Sequence, residues 1–492
     1  MKNVLEYTLS NLSNIDFKRA ERFLNASLVP ISRRELALFK AFKEWRERGN
    51  SLPPSFEIQY EYVYGVHKPK LSQDCKSKLR KVRHRLSEGI LAFNRFEVME
   101  SKIYLRELAN IEGARKMGDF NFFKKVSTKA FNGIENDSDS VTKYPIKSII
   151  NQYLIEESLK GHFSKKESLQ SLINSSETTT LNANVLNELR LGLMKMNRSR
   201  VVNEGFGSSL KSLIVKGKEI NCSIIQMFSR VIECQISSSF SFSDLKSLIE
   251  DFLLVQSDFS WSDKNMLVRV LLNEVSIGIT KRKREYLSLS LYLIKESLDL
   301  KILIEDNQIN PRLFLNVVGL CGMLKEYSFL KYFLEKYHHL LPKGNKNSVL
   351  NIALAQKSFL ENEYPEVLKI LSRNSATDKF VKIRTIDLEV RSWYKLALEN
   401  PNLENVFKDR LKSAYYILGK LEGQQPSFVL RGYKELIRIT AQFLKIPTGK
   451  VLIEDLRESI ENSSTLGYFW LIDELEYLSS KFTSEKLRKQ NN

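Results

Sequence analysis

The chain has 492 residues, of which 42% are apolar and 27% charged, the composition of a globular protein. It holds only 20 Gly and 11 Pro, well below the averages of about 7% and about 5%, which argues against a fold built on many hairpins or βα turns and for one built on helices. Its net charge of +18 is uneven, with 19 Lys and Arg against 12 Asp and Glu in residues 1–100, and 5 against 8 in the last 42. Such an N-terminal excess steers toward a polyanion, either nucleic acid or an acidic protein surface, and it equally fits the solubility of a Lys-rich cytoplasmic protein.

The first residues, Met1 to Asn14, carry Glu6 and several Ser and Asn, not the unbroken apolar run of a secretory signal. Asn14 and Asp16 precede Phe17, Ala20, Phe23 and Leu24 at helical spacing. Ser32 and Glu35 form an S-x-x-E capping box ahead of Leu38, Phe39, Phe42 and Trp45, and Gly49 with Pro53-Pro54 ends that helix. From Ser72 a long helix is expected, with Leu79, Val82, Leu86, Ile90 and Phe93 in one stripe about 80° wide.

The segment Lys68–Arg85 carries Lys68, Lys70, Lys76, Lys78, Arg80, Lys81, Arg83 and Arg85 against one acid, Asp74. Lys78, Arg80, Lys81, His84 and Arg85 fall opposite the apolar stripe, which makes a helix with one core face and one cationic face suited to phosphate contacts. With the short helix before it the segment resembles a helix-turn-helix. The bland alternative, a solvated Lys-rich face, stays open, and Tyr60, Tyr62 and Tyr64 could stack on bases or pack beneath the loop.

A polar segment over 132–144 is the best linker. Beyond it helices of about 12 to 20 residues follow one another, and strand content near zero is expected. The string Ser237 to Phe242 reads as the lead-in to a helix capped by Ser or Asp, with Asp244 ahead of Leu245, Leu248 and Ile249. Met266–Ile279 is the most apolar run, but Arg269, Asn273 and Glu274 interrupt it, so no membrane span is expected. Lys281, Arg282, Lys283 and Arg284 form a second cationic cluster at the head of an amphipathic helix, as an anion site or an exposed loop.

From about residue 313 a repeat emerges. Leu313–Leu324 makes one helix, and Tyr327 opens a second lined by Leu330, Phe333, Leu334 and Tyr337 before Pro342. Leu350–Leu360 and then Tyr364, Val367, Leu368 and Leu371 repeat the pattern. A third pair carries Phe380, Ile383, Ile386, Val390, Trp393 and Ala397, then Leu403, Phe407, Leu411, Ala414 and Leu418. Over about 310–422 this resembles degenerate tetratricopeptide-type repeats, with Leu354, Ala355, Phe359, Tyr364 and Leu371 near the motif positions; Leu330 and Val367 stand where the motif has Ala. The resemblance implies an α-solenoid of stacked helix pairs with a concave surface that binds a protein segment. The whole pattern is also similar to a group of all-helical bacterial cytoplasmic proteins, a likeness that implies no particular activity.

Chemistry is sparse. The four cysteines, Cys75, Cys222, Cys234 and Cys321, lack disulfide or zinc spacing and suit a reducing compartment. The five histidines make no H-E-x-x-H or H-x-E pattern, and His338-His339 reads as a helix C-terminal feature. Gly205-Phe206-Gly207 lacks the third glycine of a dinucleotide loop, and Gly449-Lys450 lacks the first glycine and the hydroxyl of a P-loop. Asp244-Leu245-Lys246 and Asp299-Leu300-Lys301 share half of a nuclease motif but lie in helical text.

The expected architecture is therefore all-α: a basic N-terminal helical domain over 1–131, a linker over 132–144, a helical array over 145–310, and tetratricopeptide-like repeats with C-terminal capping helices over 311–492. The expected function is that of a non-enzymatic, cytoplasmic scaffold or adaptor for a protein partner, with no cofactor and no metal. The alternative is nucleic-acid or ribonucleoprotein binding through the basic helix, with Lys76, Lys78, Arg80, Lys81, Arg83 and Arg85 as its contacts and the 281–284 cluster as a second site.

Overall fold

The computed structural model describes residues 4–26, 31–48, 53–135, 140–157, 159, 166–202, 209–237, 240–344, 346–373, 378–423, 427–447 and 451–490. The expected all-α class holds, with helices making up most of the described residues. Among the described residues the only strands are β1 (Ile304–Glu305) and β2 (Gln308–Ile309), an antiparallel pair with Ile304 opposite Ile309. Asp306 and Asn307 turn the hairpin at φ 49° and 57°, a conformation these short polar residues tolerate best after glycine. By contacts the chain divides into Met1–Ala183 and Asn184–Asn492.

The N-terminal unit begins with α1 (Val4–Asn11), α2 (Asn14–Asn25), α3 (Arg33–Glu47), α4 (Phe56–Tyr64) and α5 (Gln73–Ser101). Capping boxes start two of them: Ser13 with Asp16 on α2, and Ser32 with Glu35 on α3. The Ser13 hydroxyl holds the Asp16 carboxyl below its ordinary range. Ser72 caps α5, as the sequence suggests, by accepting from the Cys75 amide. All five apolar positions of the α5 stripe are buried, against Phe17, Ala20, Leu24, Leu38, Phe39 and Phe42 of α2 and α3.

A second core follows, from α6 (Ile103–Lys116), α7 (Phe120–Glu135) and α8 (Ser140–Glu157). Ile111, Phe123, Ala130, Ile134 and Ile150 fill it, and Arg115 ties α6 to Glu156 and Glu157 of α8. Within the polar segment expected as a linker, residues 132–135 complete α7 and residues 140–144 begin α8; 136–139 lie outside the described residues. Gly205-Phe206-Gly207 and Gly449-Lys450 also lie outside them.

The helix α9 (Lys166–Val202) runs into the C-terminal unit, where α10 (Ser209–Glu219), α11 (Ser223–Ile236), α12 (Phe242–Val255), α13 (Trp261–Thr280) and α14 (Glu285–Asp299) follow. Ser241 caps α12 in a box with Asp244, so the end of the Ser/Phe string, 240–242, leads into the helix as expected, while 238–239 lie outside the described residues. Helices α13 and α14 meet at Gly278, where a Cβ would sit 2.1 Å from the Tyr286 ring. Any larger residue there would push the pair apart.

The helix pairs of the expected repeat are α15 (Pro311–Leu324) with α16 (Tyr327–Tyr337), α17 (Lys346–Leu360) with α18 (Tyr364–Ser372), and α19 (Lys379–Glu399) with α20 (Glu404–Lys420); α21 (Ser427–Phe443), α22 (Ile453–Asn462) and α23 (Tyr468–Gln490) complete the unit. Tyr327 and Tyr364 open α16 and α18 as their spacing suggests. The first two pairs each turn through one left-handed residue, Lys325 at φ 59° and Asn362 at φ 62°, so the repeated tyrosine spacing is also a repeated backbone turn, whereas the third pair turns through the short 3-10 segment Pro401–Leu403. The first helices α15, α17, α19 and α21 pack one on the next, and α16, α18 and α20 pack beside them. Tyr394, Phe407, Phe443 and Trp470 gather in the core of the last pairs.

One register detail differs from expectation. Phe359, Val367 and Leu371 are buried, but Leu354 is 39% exposed. The buried residues of α17 are Val349, Ile352, Ala353, Ala355, Ser358 and Phe359, and at 100° per residue Leu354 falls in the gap they leave. Phe359→Ala should therefore cost about 3 to 5 kcal/mol in denaturant unfolding, whereas Leu354→Ala should cost under about 0.5 kcal/mol; equal losses would place both side chains in the core.

Candidate binding surfaces

Helix α5 presents the cationic face that the sequence suggests. Lys78, Arg80, Lys81, His84 and Arg85 are exposed while Leu79, Val82 and Leu86 are in the core. Lys78 pairs with Asp74 one turn back, Nζ to Oδ2 2.7 Å, and Arg85 stands 4.0 Å from Glu35 while remaining 72% exposed. Arg80 and Lys81 have no ion pair among the described residues. Glu88, exposed one turn further on, ends the face on the C-terminal side.

Arg83 and Lys76 are placed differently. Arg83 sits about 40° from Leu79 on the helical wheel, at the margin of the apolar stripe, and is 3% exposed. Its guanidinium donates to Gln59 Oε1 and Glu6 Oε1, both at 2.5 Å, and lies 4.7 Å above the Phe56 ring. This charge is consumed in fastening α1 and α4 to α5. Lys76, on the same margin, is half-buried.

The tyrosines before α5 pack and do not project. Tyr60 is buried with its ring 4.4 Å from that of Tyr64, and the Tyr62 hydroxyl donates to Glu44 at 2.8 Å. At the first turn of α5 the buried Cys75 has a thiol lowered to about 7, because the Ser72 hydroxyl, then the Tyr60 hydroxyl, and Lys68 Nζ at 3.5 Å favour the thiolate. Burial, chiefly, pushes Cys321 the other way, to about 12.

The cluster at 281–284 occupies the turn between α13 and α14, and half of it is spent internally. Arg282, held at φ 64°, donates to the backbone carbonyls of Glu461 and Ser463 and covers the Tyr468 ring at 4.4 Å. Arg284 makes a bidentate pair with Asp473, 2.8 and 2.7 Å, which raises its already high pKa further. Lys281 and Lys283 are exposed and have no ion pair among the described residues. Only the fold could reveal this, since the partners lie about 180 residues away along the chain.

Two surfaces escaped the sequence reading. Asn121, Lys124, Lys125, Thr128, Lys129 and Asn132 of α7 line one shallow depression without an acidic side chain. A second surface runs along the first helices of the array: Arg312 and Asn316 on α15, Asn347, Asn351 and Leu354 on α17, and Phe380 and Arg384 on α19 are each exposed or half-exposed. The spacings of three, four and seven residues that put such residues on one helix face were readable, but nothing marked them as unburied.

Among the described residues no three His, Cys, Asp or Glu side chains gather as a metal would require, and no helix is long and apolar enough to cross a membrane. His338 Nδ1 lies 2.9 Å from the Leu334 carbonyl, a helix-end contact of the expected kind. No protein-family model, curated protein or solved structure matches the chain.

The division of labour on α5 has a measurable consequence. Arg83→Met should leave Glu6 uncompensated and lower stability by on the order of 3 kcal/mol, while Arg80→Gln should change it by less than about 0.5 kcal/mol. Thermal melts of the two variants check this, and a neutral Arg83→Met would show that the buried pair is dispensable.

Proposed function

We propose that the chain is an adaptor whose C-terminal helix pairs hold a protein partner. The observation that carries this reading is the succession of first helices, α15 on α17 on α19 on α21, each with its second helix to one side. Each pair has apolar surface on two sides and hides the second by stacking, and a stack of this kind offers one continuous face to a ligand. Binding is what such a face does with amides, arginines and an exposed leucine on it.

A pull-down with the full chain, before and after nuclease treatment, tests the reading. Protein partners should be recovered in undiminished yield after digestion, and loss of all of them on digestion would sink it.

The exposed cations of α5 favour a second reading, nucleic-acid binding through that face. Its contacts are Lys78, Arg80, Lys81 and Arg85, without Arg83. Changing these four to Gln leaves Leu79, Val82 and Leu86 in place, so the core face survives. If they meet phosphates, affinity for a generic RNA duplex should fall and the slope of log K against log salt should become shallower by roughly 3. An unchanged slope would mean that the charge acts diffusely.

A further inference from the structure

Arg312 and Arg384 are 72 residues apart and meet at one ring. Their guanidinium carbons lie 5.4 and 5.5 Å from the Phe380 centroid, so the two charges are no more than about 11 Å apart. Arg384 reaches from α19 to α15, where its Nη2 donates to Asn316 Oδ1 at 3.1 Å. Neither arginine has an ion pair among the described residues. Asp387, one turn along α19, is already committed to Arg391, with Nε to Oδ1 2.6 Å. The Nε of Arg384 is buried without an acceptor. Two like charges are thus held together by an aromatic face and an amide, with no carboxylate to offset them.

Between these two helices α17 packs on α15, α18 and α19, and one sector of it stays exposed or half-exposed. That sector carries Asn347, Leu350, Asn351 and Leu354. We infer that this face, walled by Arg312 and Arg384 and floored by α17, takes an acidic, extended segment of a partner protein, with the partner's carboxylates on the two guanidiniums. Arginine forks donate bidentately to carboxylates. The asparagines are placed to bond peptide groups, and Leu350 and Leu354 offer apolar contact to alternate side chains. A phosphate backbone fits less well, because it draws its affinity from many cations and this face has two. With neighbouring helices about 8 to 10 Å apart, the span from α15 to α19 matches roughly five to six extended residues.

The inference rests on the adaptor reading, and its test separates the two. The full chain is titrated by fluorescence anisotropy with a short labelled peptide of Glu, Leu and Ser, with its Gln-for-Glu counterpart, and with labelled oligo(dT). The Arg312→Gln/Arg384→Gln variant should weaken the acidic peptide by about tenfold or more. The Lys78→Gln/Arg80→Gln variant, with the same change of charge, should weaken it less than about twofold. Arg312→Gln alone, at an exposed position, should weaken it several-fold and serves if the double variant melts early. Absence of acidic-peptide binding, equal losses from both double variants, or a loss confined to oligo(dT) overturns the inference. Equal binding of the Gln peptide also overturns it but leaves the adaptor reading standing, which falls only with nuclease-sensitive recovery of every partner.

Discussion

Buried side chains fall on more than half the circumference of α17 and on two opposite sides of α19, and no single neighbour can cover a helix in that way. The C-terminal unit follows from this excess. A helix pair buries one sector of each member and leaves another needing cover, so the next pair must dock, and the next again. The left-handed residues Lys325 and Asn362 make the turn within a pair short enough for the second helix to lie back on the first. The array closes where aromatic rings replace a further pair, with Tyr394, Phe443 and Trp470 packed together.

Polar groups trapped by such packing must find partners within it. Arg190 of α9 and Asp263 of α13 pair through two bonds of 2.9 and 2.7 Å, and Ser260 supplies a third donor to the carboxylate. Glu474 of α23 accepts from the Tyr394 hydroxyl and from Lys395, with Tyr394 held neutral chiefly by burial. These pairs join helices far apart in sequence. They set the partners of each helix more narrowly than apolar contact alone, since an unpaired charge at either site would be expensive.

Local signals were legible where they act locally. The box at Ser32, the helix start before Leu245, the cap at Ser72 and the stripe of α5 depend on residues within a few turns, and the spacing of Tyr327 and Tyr364 repeats a turn. Arg83 was legible in part, since its wheel position beside Leu79 already set it apart from Arg80 and Lys81. Leu354 misleads because a leucine at a motif position reads as core, while the neighbours that would cover it belong to other helices. Arg282 and Arg284 were opaque for a stronger reason: their meaning lies in carbonyls and a carboxylate supplied by α22 and α23.

The candidate surfaces are best understood as what remains after the fold has taken its share of the charge. Arg83, Arg115, Arg190, Arg282 and Arg284 each satisfy a carboxylate or carbonyl inside the molecule, so the net +18 overstates what a partner could meet. Arg80 and Lys81 on α5, and Arg312 with Arg384 on the array, are cations the fold positions but does not neutralise. On α5 such charges cost little, because water solvates them on an open face. On the array Arg384 is half-buried, bridges two helices and has one donor without an acceptor, so water offsets its charge less completely. A carboxylate would offset it better, and that difference in solvation is the physical ground on which an acidic partner is proposed for the array and not for α5.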